Sequence, residues 1–289
     1  MVDEDVLRGI LTAQRNELTE YIIYDRLSRV VRDGHNSGVL KRISGDERRH
    51  HDFWRKHTGR DVKPDMLKVW WYYMISRVFG ITFGIKLMEK GEERAQVAYN
   101  RIAESIPEAR KILEDEDSHE KELIGMIDEE RLKYVGSMVL GLSDALVELT
   151  GALAGFTLAL QNTRLIAVTG LIVGVAASLS MAASEYLSTK SEGGGKNPVK
   201  ASVYTGSAYV LTVMLLVAPY LIFNDIYVSL CVTLFNVVMI ITIFTFYISV
   251  AKDLSFRARF VEMVVISLGV AAFSFALGYV VRITLGVDI

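Results

Sequence analysis

Hydrophobic positions divide the chain into two parts that meet near residue 133. Before this point, apolar residues recur at helical spacing among many charges, which predicts four helices near 3–33, 38–57, 66–104 and 106–133. After it, five long apolar runs follow one another, at 134–160, 165–188, 201–223, 226–251 and 260–285. Each run exceeds the roughly 20 residues that a helix needs to cross a bilayer. No strand-like alternation competes, so we predict an all-α protein.

The distribution of charge follows the same division. Of the 66 Asp, Glu, Lys and Arg residues, 50 lie in residues 1–133, and all five histidines lie there too. The remaining 156 residues hold only 16 charges, too few for the surface of a soluble domain. We therefore predict a polar domain at 1–130 and a five-span transmembrane domain at 131–289, with the lipid bilayer as a partner.

The positions of Lys and Arg predict the topology of the spans. Two basic residues flank one side, Arg164 and Arg282. Eight flank the other, and they are Arg131, Lys133, Lys190, Lys196, Lys200, Lys252, Arg257 and Arg259. The excess predicts that the polar domain is cytoplasmic and that the C-terminus lies on the opposite side. The charged N-terminal segment lacks the apolar stretch of a secretory signal, which favours the same orientation.

Composition excludes two classes of function. The single cysteine, Cys231, excludes an intrachain disulfide framework and metal sites built from several cysteines. The balance of 32 basic and 34 acidic residues gives no basic field, so we expect no nucleic-acid partner.

Glutamate and histidine form a repeated pattern across the four predicted polar helices. The chain presents Glu, then Glu-x-x-His, twice, with the residues Glu17, Glu47, His50, Glu92, Glu116 and His119. A Glu and a His at i, i+3 share one helix face, so these six side chains can enclose two metal ions in a bundle. Carboxylate and imidazole ligands favour iron (Fe2+) over calcium or magnesium, with Mn2+ or Zn2+ as alternatives. Glu20 and Glu89 each lie three residues from a predicted ligand, as auxiliary ligands or as ordinary surface glutamates.

Aromatic residues are concentrated at the start of the third predicted helix, in residues 66–79. Trp and Tyr flanked by Lys68 and Arg77 are typical of a segment that lies against bilayer headgroups or against the transmembrane domain. Ordinary packing in the core of the bundle is the alternative, and the sequence leaves both open.

Acidic residues also occur inside the predicted spans, where each is costly and usually functional. Asp144 and Glu148 lie about 15 and 21 Å below the start of the first span by helical rise. Met181 and Glu185 lie near the cytoplasmic end of the second span, and Glu262 begins the fifth. We predict that these five residues form a transport path for a cation, with a thioether that suits Fe2+ better than Mg2+.

The polar domain resembles a known family. Residues 10–125 are similar to the ferritin-like, rubrerythrin-type di-iron domain, whose pattern of Glu, Glu-x-x-His, Glu, Glu-x-x-His is met by the six residues above. The resemblance implies a four-helix bundle with a two-iron site. The chain departs from rubrerythrins because no rubredoxin-like module with four iron-binding cysteines follows.

The apolar part resembles the vacuolar iron transporter family. The resemblance rests on Gly141-Leu-Ser-Asp144-Ala-Leu-Val and on Ser180-Met-Ala-Ala-Ser-Glu185-Tyr. It implies a five-span homodimer that exchanges cytosolic Fe2+ or Mn2+ for protons along the subunit interface, with Asp144, Met181 and Glu185 at motif positions. The chain departs from the family at Ala145, where the family has Gly, and in the shortened segment 189–200. Together, the two resemblances are to iron transporters with an N-terminal ferritin-like domain.

These observations predict a membrane transporter that moves Fe2+ or Mn2+ out of the cytoplasm in exchange for protons, as a homodimer in the cell membrane of a prokaryote. The ferritin-like domain would capture, oxidise or sense iron. The alternative is a membrane-anchored di-iron ferroxidase or peroxidase whose spans serve only as an anchor. Whether the protein is also an enzyme stays open at this level.

Overall fold

The chain consists of helices joined by short connections. A computed structural model describes residues 4–81, 83–88, 106–125, 129–193, 195–252 and 254–285, and these ranges contain no β-strand. The all-α prediction is therefore confirmed for the described residues. The chain divides into two compact units, the N-terminal unit Met1–Asp128 and the membrane unit Glu129–Ile289.

Four α-helices belong to the N-terminal unit: α1 (Glu4–Ser28), α2 (Gly34–Thr58), α3 (Met66–Phe79) and α4 (Arg110–Gly125). Helix α2 begins four residues before the predicted start, because the Asp33 side chain accepts a hydrogen bond from the backbone N–H of Asn36 and caps the helix. It ends at Gly59, whose φ of 60° reverses the chain. A 3₁₀ turn at Pro107–Ala109 leads into α4.

The third predicted helix, 66–104, is interrupted at Gly80, and its part beyond residue 88 lies outside the described residues. Helix α3 ends at Phe79, where Gly80 adopts φ 97°, and residues 83–88 are helical again. Gly84 is needed for this fold-back, since a Cβ there would lie 1.8 Å from Ser76 Oγ. The sequence pattern missed the break because apolar spacing continues through it, whereas glycine permits the positive φ.

Two apolar clusters fill the N-terminal unit, and they are separated along the helices. One contains Ile23, Leu27, Leu40, Ile43 and Val69. The other contains Ile10, Ala13, Trp54, Ala109 and Ile112. The segments of α1 and α2 between these clusters carry Glu17, Glu47 and His50, so these polar residues lie between the two apolar clusters.

The membrane unit contains five helices: α5 (Glu129–Leu160), α6 (Thr163–Glu192), α7 (Pro198–Ile222), α8 (Ile226–Ala251) and α9 (Phe256–Leu285). All five are long and apolar enough to cross a membrane, and the first candidate span starts at Tyr134. The prediction of a multi-pass membrane protein is confirmed at this level. Helices α6, α7 and α8 are capped by the side chains of Asn162, Asn197 and Asp225, which accept hydrogen bonds from backbone N–H groups of the first turn.

Helix α5 lies at the centre of the membrane unit, where it packs against the other four helices. Glycines allow the closest approaches. A Cβ on Gly278 of α9 would lie 2.2 Å from Gly155 O, and one on Gly141 would lie 2.4 Å from Thr205 O of α7. Small residues at such crossings are the usual means of packing helices in lipid.

We expect Gly278→Ala to destabilise the membrane unit, because the new methyl group would meet the α5 backbone rather than a movable side chain. The expected cost is on the order of 1–3 kcal/mol, measured as a lower temperature of thermal unfolding in detergent. Gly269→Ala on the same helix is the matched control, since a Cβ there meets nothing within 4 Å. Equal effects of the two substitutions would contradict the packing described for α9.

Candidate functional site

The N-terminal unit brings four predicted ligands into one cluster. Glu17, Glu47, His50 and Glu116 each offer a ligand atom within 4.8 Å of the others. His50 Nδ1 lies 3.1 Å from Glu116 Oε1, 3.5 Å from Glu17 Oε2 and 3.6 Å from Glu47 Oε2. His119 joins from α4, with its Nδ1 3.2 Å from Glu47 Oε1 and 3.8 Å from Glu116 Oε2. Three helices thus direct five predicted ligands to one place.

The remaining predicted ligands are less well determined. Glu89 and Glu92 lie outside the described residues. Glu20 is half-buried on α1, three residues from Glu17. The six-ligand site therefore stays a prediction in its full form, with five of its members described.

Both histidines are held from outside the cluster by a carboxylate. His50 Nε2 lies 3.2 Å from Asp115 Oδ2, and His119 Nε2 lies 3.1 Å from Asp46 Oδ2. Each contact joins the two helices: Asp46 of α2 contacts His119 of α4, and Asp115 of α4 contacts His50 of α2. A histidine whose second nitrogen is fixed in this way presents its other nitrogen in one orientation, as metal-binding histidines usually do.

The sequence analysis missed these two aspartates, although a signal was present. Asp46 and Asp115 each directly precede the Glu of a Glu-x-x-His pair, so the repeat is Asp-Glu-x-x-His in both helices. A tryptophan was missed as well, since Trp54 Nε1 donates to Glu17 Oε1 at 3.0 Å. This bond fixes the one ligand that comes from α1.

The cluster is mostly buried and rich in ionisable side chains. Glu17, Glu47, His50 and His119 are at most 6% exposed. Two fully buried atoms, Glu47 Oε2 and His119 Nδ1, make no hydrogen bond within the described residues. Such atoms are costly unless something else binds them, and a cation between them would do so.

The pKa values show how the charges balance without a cation. Burial raises the pKa of Glu17 well above its usual value, and the neighbouring Glu47 and Glu116 carboxylates add to the effect. Burial would lower the pKa of both histidines, but the surrounding carboxylates outweigh it; the pKa of His50 is raised strongly and that of His119 to about 10. Burial is likewise outweighed at Glu116, where both imidazoliums lower the pKa to about 2. These shifts favour charged histidines beside an ionised Glu116.

The donor set fits divalent transition-metal ions. Carboxylate oxygens with imidazole nitrogens suit iron, manganese or zinc, whereas sites for calcium or magnesium use oxygen alone. Glu17, Glu47, His50, Glu116 and His119 would hold such ions, and displaced histidine protons would keep the charge balanced.

We expect Asp46→Asn and Asp115→Asn to weaken metal binding without removing a ligand. Losing one supporting carboxylate frees the orientation of His119 or His50, which typically costs about 10–100-fold in metal affinity. Titration of the full chain with Mn2+, followed by paramagnetic resonance, measures the effect. Asp117→Asn, an exposed neighbour in the same acidic run, is the control and should bind like the wild type. Unchanged affinity in both variants would exclude a supporting role.

In the membrane unit, Glu185 of α6 accepts hydrogen bonds from two hydroxyl groups, one on α5 and one on α6. Ser137 Oγ donates to Glu185 Oε1 at 2.5 Å, and Thr189 Oγ1 donates to the same oxygen at 3.4 Å. Ser137 is only three residues beyond Tyr134, where the first span starts. The carboxylate of Glu185 therefore lies level with the start of that candidate span.

Asp144 and Glu148 lie farther along α5 than Ser137, inside the first candidate span. Tyr209 of α7 is fully buried, and its hydroxyl donates to Glu148 Oε2 at 2.8 Å. Glu148 is nevertheless exposed on the outside of α5, and Asp144 is half-buried one turn away. The side chain of Asp144 makes no hydrogen bond or ion pair within the described residues. Two carboxylates thus share a helix face at membrane depth, and only one of them has a protein donor.

The other two predicted path residues differ in their surroundings. Met181 is half-buried and packs against the core cluster of the membrane unit. Glu262 is about half exposed and pairs with Arg259 at 2.9 Å, one turn away on α9. The hydroxyl partners Ser137 and Tyr209 were missed by the sequence analysis, because nothing in the local pattern distinguishes them from other residues in the spans.

Comparison with known proteins adds one similarity. The VIT family sequence model matches residues 135–194, which are 60 of the 289 residues. The matched segment contains Asp144, Glu148, Met181 and Glu185, and Glu262 lies outside it. No curated protein matches the chain.

Proposed function

We propose that this protein is a transporter of the vacuolar iron transporter type, which moves Fe2+ out of the cytoplasm in exchange for protons. The observation that carries the proposal is the pair Asp144 and Glu148, two carboxylates on one face of a central helix at membrane depth. Acidic residues in this setting are rare and mark ion pathways. The similarity of residues 135–194 to the VIT family supports the same function.

The carboxylates give the path a direction. Glu185 lies at the level of Ser137 on α5. Asp144 is seven residues beyond Ser137 and Glu148 eleven, which places them about 10 and 16 Å deeper by helical rise. A cation that enters at Glu185 therefore meets Asp144 next and then Glu148, which lies four residues and about 6 Å farther along α5.

Exchange with protons follows from the chemistry of these groups. A carboxylate must give up its proton to bind a cation, and it takes up a proton again when the cation leaves. Asp144, which accepts no hydrogen bond within the described residues, can do this without breaking one there. Tyr209 keeps its hydroxyl directed at Glu148 and can donate to the carboxylate whenever no cation is bound.

We propose further that the membrane unit works as a homodimer. Leu140, Asp144 and Glu148 recur at four-residue intervals along α5, and Leu140 and Glu148 are exposed. Exposure of carboxylates to hydrocarbon is costly, whereas a second copy would cover this face and place two pairs of carboxylates opposite each other. The path would then lie between the two copies.

The N-terminal unit supplies the metal in this proposal, as a ferritin-like cytoplasmic domain. Its cluster of three carboxylates and two histidines would hold Fe2+ or Mn2+, with Glu92 as a further ligand. When bound, iron at such a site supplies redox chemistry, so oxidation of Fe2+ is the competing role. A membrane-anchored ferroxidase would need the cluster but not the acids of α5, which separates the two functions experimentally.

The test is a flux measurement on the purified full-length chain in proteoliposomes. Vesicles with an imposed pH gradient should accumulate Fe2+, detected by quenching of trapped calcein, and a proton-sensitive dye should report an opposite proton flux. Protein-free vesicles give the background. Fe2+ entry that is no faster than this background would refute the transporter proposal.

A further inference from the structure

Helix α3 has two faces of different character. One face packs inside the N-terminal unit, where Val69, Ile75 and Ser76 are buried. The other carries five large apolar side chains on the outside, here called the α3 apolar face: Leu67, Trp70, Trp71, Met74 and Val78. Leu67 is 86% exposed and Trp71 58%. Single exposed apolar residues are common, but a continuous apolar stripe over three helical turns indicates a binding surface.

The charged residues of α3 itself all have the same sign. Within α3 there is no Asp or Glu, whereas Lys68 and Arg77 are both exposed. A third cation, Arg26 of α1, lies 5.5 Å above the ring of Trp70. The nearest acid, Asp65, is engaged as the helix cap by the backbone N–H groups of Leu67 and Lys68. The surface is therefore apolar, aromatic and basic.

This combination matches the interface of an anionic lipid bilayer. Tryptophan rings prefer the headgroup level, and Lys and Arg extend from there toward lipid phosphates while their stems cover apolar surface. A second copy of the chain fits less well, because a twofold contact through this face would bring its like charges together. Charge complementarity thus favours lipid over another α3.

The chain brings such a surface within reach. Helix α4 ends at Gly125, and the first candidate span starts at Tyr134, nine residues later. Nine residues extend at most about 32 Å, even fully stretched. The connection is therefore short enough for the N-terminal unit to reach a bilayer that the spans cross.

We propose that the α3 apolar face inserts into the headgroup region of an anionic leaflet and holds the N-terminal unit on the membrane surface. The side chains of Trp70 and Trp71 enter the interface, and Lys68 and Arg77 contact lipid phosphates. The proposal concerns attachment to lipid and does not depend on which ion, if any, the membrane unit transports.

Tryptophan fluorescence of the full-length chain provides a direct test. The chain has three tryptophans, Trp54, Trp70 and Trp71, so the membrane unit contributes no tryptophan signal. Trp54 is fully buried in the N-terminal unit and serves as an internal reference. The probe is a vesicle of phosphatidylcholine and phosphatidylglycerol, three to one, with a spin label on a fraction of the headgroups.

Spin-labelled lipid should reduce the emission of the wild-type chain at least about twofold relative to unlabelled vesicles, because two of three emitters lie at headgroup level. In Trp70→Phe/Trp71→Phe, the remaining Trp54 emission should stay nearly unchanged, and its presence shows that the unit is folded. Omitting phosphatidylglycerol, or introducing Lys68→Glu/Arg77→Glu, should weaken the quenching. Lys56→Glu, an exposed charge on α2, is the matched control and should quench like the wild type.

Two results would overturn the proposal. The first is emission from Trp70 and Trp71 that aqueous iodide quenches but spin-labelled lipid does not, which would leave the face in water. The second is protection from both quenchers together with disulfide-linked dimers of Leu67→Cys in a Cys231→Ser background, which would show that a second copy covers the face.

Discussion

Asp144→Ala should reduce the initial rate of Fe2+ flux into proteoliposomes by more than about tenfold, which corresponds to at least roughly 1.4 kcal/mol of barrier. The physical reason is the position of the side chain. Asp144 is the carboxylate between Glu185 and Glu148, and no protein donor competes for it within the described residues. Without it, a cation must cross about three helical turns between the level of Glu185 and Glu148 without a charged ligand.

The matched control is Glu192→Gln, which removes an exposed carboxylate at the end of α6 and should leave the flux unchanged. Asp144→Asn keeps the size of the side chain and should still lose transport, because an amide cannot neutralise a cation. Normal flux in both Asp144 variants would refute the path, whatever the rest of the protein does.

Glu47→Gln should weaken metal binding in the N-terminal unit by more than about a hundredfold, beyond the range expected for a supporting residue. Glu47 lies at the middle of the cluster, since its carboxylate is 3.6 Å from His50 Nδ1 and 3.2 Å from His119 Nδ1. It is also buried, and one of its oxygens makes no hydrogen bond within the described residues. The amide is almost the same size but carries no charge, so binding is lost without a change in packing.

Titration of the full-length chain with Mn2+, monitored by paramagnetic resonance, measures this loss. Glu114→Gln on α4 is the control, because it removes an exposed acid from the same acidic run. If the N-terminal unit feeds the membrane path, Glu47→Gln should also slow Fe2+ flux at low Fe2+ concentration and less so at saturation. Wild-type affinity for Mn2+ in Glu47→Gln would refute the candidate metal centre.

The elements that follow from simple periodicities were predictable. The five spans follow from apolar runs whose length is set by the thickness of a bilayer, and the five span helices begin and end within a few residues of the predicted positions. A Glu and a His three residues apart share a helix face, so the sequence could suggest that Glu47, His50, Glu116 and His119 face one another, while their binding of metal stays a prediction.

Features that depend on tertiary packing were not predictable. The break after Phe79 depends on the positive φ of Gly80 and on the contact of Gly84 with Ser76, neither of which alters the apolar spacing. The hydroxyl donors Ser137 and Tyr209 lie 48 and 61 residues from the carboxylates that they bind, so no local pattern connects them. The contacts of Asp46 with His119 and of Asp115 with His50 likewise join residues on different helices, so they become evident only when α2 and α4 lie side by side.

The α3 segment shows why the sequence left two interpretations open. A helix with aromatic residues on all sides fits both a bundle core and a bilayer interface. The structure separates two faces, since Val69 and Ile75 are buried in the N-terminal unit while Trp70 and Trp71 are exposed. Periodicity alone could not decide which aromatic residues belong to which face.

Transport requires that iron cross the membrane through this protein and not merely be oxidised beside it. Fe2+ entry and Fe3+ formation can be followed together, in the same proteoliposomes of the wild-type chain under a pH gradient. A transporter should accumulate Fe2+ inside the vesicles, accompanied by an opposite proton flux. Formation of Fe3+ outside the vesicles without entry above the protein-free background would contradict it and would identify the protein as a membrane-anchored oxidase.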